Sequence, residues 1–65
     1  MTDAQKETYQ FIVAYYQKNK VMPFNTDISK AFGIATPSAH ARVEGLIQKG
    51  WLSRNPARKS WLEIV

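Results

Sequence analysis

Two residues, Ile34 and Ala35, separate Gly33 from the pair Thr36-Pro37 in the stretch "KAFGIATPSAHARV". That spacing leaves room only for a tight turn between two helices. Gly33 stands where the end of one helix needs a left-handed residue, a conformation glycine adopts without a Cβ penalty. Thr36 followed by proline signals the start of the next helix, with Thr36 as the expected cap. Upstream, "NTDISKAFG" predicts a helix capped by Asn25 or Thr26, with Asp27 in its first turn and Ile28, Ala31 and Phe32 turned inward. Downstream, Ala39, Val43, Leu46 and Ile47 share one helical face until Gly50 stops the pattern. Two short helices joined by a glycine turn make a helix-turn-helix unit.

The flanking segments complete the architecture. Thr2 before "DAQKE" is an N-cap signal, and Tyr9, Ile12, Val13 and Tyr16 recur at helical spacing, with Phe11 and Tyr15 beside them. This first helix is expected to end at Lys18 to Lys20, where cations suit a C-terminus. Pro23 pushes Met22 into extended backbone, so Val21 and Met22 read as a very short strand or an extended link. The tail changes period. "WLSRN" and "WLEIV" are rich in strand formers, and Trp61, Glu63 and Val65 alternate with Leu62 and Ile64. Between them "NPARKS" forms a basic turn with Arg58 and Lys59 at its tip. The expected fold is mainly α with a small β-hairpin: a winged helix-turn-helix of three helices and a C-terminal two-stranded wing. Residues 1–65 are expected to form one domain.

A chain of 65 residues buries only about 60% of its unfolded surface, so its core must be used efficiently. Eight aromatic residues help, and Tyr9, Tyr16, Phe24 and Phe32 are expected at the core or its margin. Trp51 and Trp61 read as buried packing. There is no cysteine, which excludes disulfides and thiolate metal sites. The N-terminus lacks the basic-then-apolar order of a signal peptide, and no apolar run approaches the ~20 residues of a membrane span. A cytoplasmic protein is expected, associated with the nucleoid if bacterial or phage.

Charge narrows the partner. Residues 1–35 hold four lysines against three acids, a net of +1, whereas residues 36–65 hold five cations against two, a net of +3. A basic C-terminal half suits a polyanion. Catalysis has no converging groups to work with: Ser38 and His40, two apart on a helix, diverge and cannot pair as nucleophile and base. One histidine, no cysteine and five scattered acids offer no metal constellation. No enzyme activity, cofactor or small-molecule ligand is expected.

These segments resemble a known family. "TDAQKETYQFI" in the first helix, "MPFNTDISKAFGI" in the second helix and turn, "TPSA" opening the third, and "LIQKGWL" running into the hairpin are similar to the N-terminal DNA-binding domain of LexA-type repressors. The resemblance implies a winged helix whose third helix binds DNA and whose wing meets the backbone. The stretch from Gly33 to Val43 is one residue shorter than the family pattern, so contacts of the third helix do not transfer residue by residue. The family's second, self-cleaving and dimerising domain is expected to be absent.

In helix-turn-helix geometry the second helix of the unit enters the major groove and its first residues reach base edges. Arg42 is the expected base reader, because a guanidinium matches guanine O6 and N7. Ser38 and His40 suit bases or phosphates, and the Ala41 methyl suits thymine. Gly45 also lies away from the apolar stripe, where small residues let the backbone approach a surface. Thr36, Asn25 and Thr26 are expected near phosphates at two helix starts. Arg54, Arg58 and Lys59 form the basic wing. The expected function is sequence-specific double-stranded DNA binding by a transcriptional regulator, repressor-like, with a second copy or a partner protein as company. The competing reading is a winged helix for protein–protein interaction, in a nucleic-acid machine or an inhibitor of one. It should show an exposed apolar or aromatic patch. RNA fits less well, since its major groove does not admit a helix.

Overall fold

A computed structural model describes residues 2–54 and 62–65. Its elements follow in the order α1 (Asp3–Asn19), α2 (Asn25–Phe32), α3 (Thr36–Gln48), β1 (Leu52–Arg54) and β2 (Leu62–Ile64). β1 and β2 pair antiparallel, with Leu52 opposite Ile64, Ser53 opposite Glu63 and Arg54 opposite Leu62. This is the three-helix, two-strand arrangement that the sequence predicts. The hairpin tip, including Arg58 and Lys59, and Trp61 lie outside the described residues.

Each helix starts and stops for a local chemical reason. At α1 the Thr2 hydroxyl accepts from the Gln5 N–H at 3.1 Å, while the Gln5 side chain accepts from the Thr2 N–H at 3.2 Å. This reciprocal box satisfies two amides that a helix start leaves unpaired. α1 ends at Lys20, a non-glycine residue with φ 63°. Neither Asn25 nor Thr26 caps α2. The N-cap position falls to Phe24, whose N–H donates to Asp27 Oδ2 at 2.9 Å. Asp27 thus does from the first turn what a capping side chain would do from outside it. Gly33 ends α2 at φ 65°, and the Ile34 N–H reaches back to the Ser29 carbonyl at 3.0 Å. α3 begins one residue earlier than the cap reading of Thr36 requires: Ala35 is the N-cap, without a side-chain bond, and Thr36 is the first helical residue. Proline at the second position supplies the start instead, since its fixed φ is already helical. Gly50 turns the chain at φ 81°, and the Trp51 N–H returns to the Leu46 carbonyl at 3.0 Å.

Every element feeds one core: Ile12 from α1, Met22 from the link, Ile28 from α2, Ala39, Val43 and Leu46 from α3, and Leu52 and Leu62 from the hairpin. Val21 and Met22 form a link and not a strand, with Val21 exposed and Met22 buried. Several inward assignments are corrected. Ala31 is exposed and the buried residue of that turn is Ser29, whose hydroxyl donates to the Thr26 carbonyl at 2.9 Å. On α1 the fully buried pair is Thr8 and Ile12, while Tyr16 is exposed. Phe24 is 65% exposed, because the N-cap position holds its side chain off the α2–α3 packing. Trp51 is 45% exposed and covers one edge of the core by packing edge-on to Tyr9, with ring centroids 5.3 Å apart. Tyr9 and Phe32 do sit at the core margin.

Candidate nucleic-acid interface

The first turns of α3 present a smooth outer surface. Thr36, Pro37, Ser38, His40 and Ala41 are all exposed, while Ala39 and Val43 on the inner face are fully buried. Small side chains on that face let the helix approach a groove closely, as the sequence implied. Gly45 serves a different neighbour: a Cβ there would run into the Gln5 side chain of α1.

Two contacts extend this surface sideways. At the start of α2, Asn25 Nδ2 lies 3.3 Å from His40 Nδ1, so the half-buried Asn25 and exposed Thr26 flank the beginning of α3. On the wing side, His40 Nε2 lies 3.5 Å from Glu44 Oε1, and the same carboxylate oxygen pairs with Arg54 Nη2. Asn25, His40, Glu44 and Arg54 thereby run as one polar line from α2 across α3 to β1. Hairpin register explains how Arg54 gets there. Leu52 and Arg54 are two apart on β1 and share the face that packs on α3, with Leu52 in the core and Arg54 at the rim.

Arg42 is placed differently from a residue simply facing away from the core. It is half-buried, its Nη1 donates to Thr8 Oγ1 at 3.4 Å, and its guanidinium lies 5.3 Å from the centre of the Phe32 ring. One side chain of α3 thus touches both α1 and α2. Thr8 is prepared for this contact, because its own hydroxyl proton goes to the Ala4 carbonyl at 2.8 Å. Glu44 and Thr8 are the participants that sequence reading missed. Glu44 had a signal in its four-residue spacing from His40, and Thr8 had none, since a threonine in a helix reads as neutral.

A helix-turn-helix with an exposed α3 start and a hairpin packed beside it defines the winged helix-turn-helix class. The family described as LexA DNA binding domain matches residues 1–60. The LexA repressor of Magnetococcus marinus is 35% identical over 65 residues, covering 100% of this chain and 28% of its own length. That of Thermosipho africanus is also 35% identical over the whole chain, which is 33% of its length. The LexA repressor of Carboxydothermus hydrogenoformans is 32% identical over 66 residues, 32% of its length. This chain belongs to the LexA DNA-binding domain family, and it spans about a third or less of the relatives it matches. It is a DNA-binding, regulatory domain in kind, and among the described residues no helix is long and apolar enough to cross a membrane.

Proposed function

We propose that residues 1–65 act as one domain that reads double-stranded DNA for a transcriptional repressor. In this reading α3 lies in the major groove, with Ser38, His40 and Ala41 nearest the base edges. Thr36, Asn25 and Thr26 meet phosphates beside it. Arg54, Arg58 and Lys59 bring the wing to the backbone, and Arg42, seated against Phe32 and Thr8, offers its remaining guanidinium donors to the DNA as a base reader. The observation that carries the reading is the exposed set Thr36, Pro37, Ser38, His40 and Ala41 on a helix whose opposite face, Ala39, Val43 and Leu46, is fully buried. Family membership supports it independently. Such a protein works where the chromosome is, in the cytoplasm or on the nucleoid. A single module of this kind covers about 600–1,000 Å² of protein surface on DNA, so tight binding calls for two copies.

Fluorescence anisotropy with random-sequence duplex at several salt concentrations tests the reading. About four phosphate contacts give a slope of log K against log[salt] of roughly −3.6, and Arg58→Ala/Lys59→Ala should flatten it by about 1.8. Absence of binding at low salt by the folded chain would overturn it.

A further inference from the structure

We propose that Glu44 is a positioning residue: it aims Arg54 at the DNA backbone and locks the wing to α3, so that groove and backbone contacts form as a unit. The inference rests on the DNA-binding reading above. An acid on the DNA side of a basic module is otherwise a liability, because it repels phosphate. Its surroundings give it a use. One oxygen of Glu44 takes Arg54 Nη2 and lies 3.5 Å from His40 Nε2. His40 meets both neighbours, with its Nδ1 3.3 Å from Asn25 Nδ2 and its Nε2 3.5 Å from Glu44 Oε1. The carboxylate is therefore braced from α2 while it holds the wing.

Arg54 remains able to bind something else. Its side chain is 49% exposed, and it meets Glu44 through Nη2. A guanidinium is a rigid fork of five donors, so fixing one arm fixes the direction of the others, which a lysine ammonium would not do. The pair is also too exposed to matter much for folding, since pairs of this kind contribute little stability. Its effect should be visible in binding.

Two accounts predict opposite signs for Glu44→Gln. As a solvated negative charge, Glu44 weakens DNA binding, and its neutralisation should tighten it. As a positioning residue, its loss releases Arg54, and binding should weaken. The test uses random-sequence duplex and anisotropy across a salt series with wild type, Glu44→Gln, Arg54→Gln and the double variant. We expect Glu44→Gln to lose about 3–10-fold in affinity at low salt, and each variant to flatten the salt slope by about 0.9, one phosphate contact. The double variant should be no worse than Arg54→Gln alone. Affinity of Glu44→Gln equal to or above wild type would overturn the proposal, as would fully additive losses. Should Glu44→Gln not fold by circular dichroism, Arg54→Lys decides. It keeps the charge and drops the fork, so an unchanged slope counts against the proposal and a flattened one for it. Failure of the wild type itself to bind duplex would overturn the functional reading first, and is distinguishable for that reason.

Discussion

Gly33 and Lys20 end their helices in the same left-handed conformation, at φ 65° and 63°, but only one of them is suited to it. Nothing lies within 4 Å of a Cβ placed on Gly33, so the cost of Gly33→Ala is purely conformational, about 1 kcal/mol. Lys20→Gly is the converse experiment, and should raise the urea midpoint by an amount corresponding to roughly 0.5–1 kcal/mol. Arg42 makes a third test at this scale. Arg42→Ala removes the contact over Phe32 and the bond to Thr8, so it should lower stability by about 1 kcal/mol as well as weaken DNA binding. A residue used only on DNA would leave the urea midpoint unmoved.

At the scale of elements, α3 holds the others together, packing on α1, α2 and β1 through Ala39, Val43 and Leu46. Leu46→Ala should cost about 2–5 kcal/mol. A domain of this size has only about 3–10 kcal/mol in total, so the variant should lose much of its helical circular dichroism at 37 °C, whereas Gln48→Ala on the exposed side should not. Helix existence and strand pairing were legible beforehand, because proline, glycine and the apolar period act locally. Side assignments failed where a residue's neighbours come from elsewhere in the chain. Phe24 is as hydrophobic as Phe32, yet one is exposed and the other packs, because Phe11 of α1 and Arg42 of α3 come to meet Phe32. Arg42 looked free on a helical wheel because Thr8 lies 34 residues away. For the interface, the exposed start of α3 was readable from its small and polar residues. The tie between Glu44 and Arg54 was not, since it exists only once the hairpin has folded back on α3.

Across the whole molecule, the excess of +3 in residues 36–65 comes from the wing and from Lys49 just after α3, since Arg42 and Glu44 cancel within α3, and α1 is neutral. The charge belongs to the same elements as the proposed contacts, so low salt should speed association as well as tighten it. Joining two copies through a flexible linker, on duplex carrying two preferred sites one helical turn apart, should raise affinity about 10²–10⁴-fold over one copy. Equal affinity for the joined and single forms would mean that the two sites cannot be occupied together. The hairpin has a further consequence. Its two three-residue strands are held from below by Leu52 and Leu62 in the core. That anchorage is made by residues of the strands themselves. On that footing residues 56–60 should behave as an interchangeable cartridge: exchanging their sequence should change how tightly the protein holds DNA while leaving the melting temperature where it was. Evolution, or an engineer, can vary the tip without renegotiating the fold.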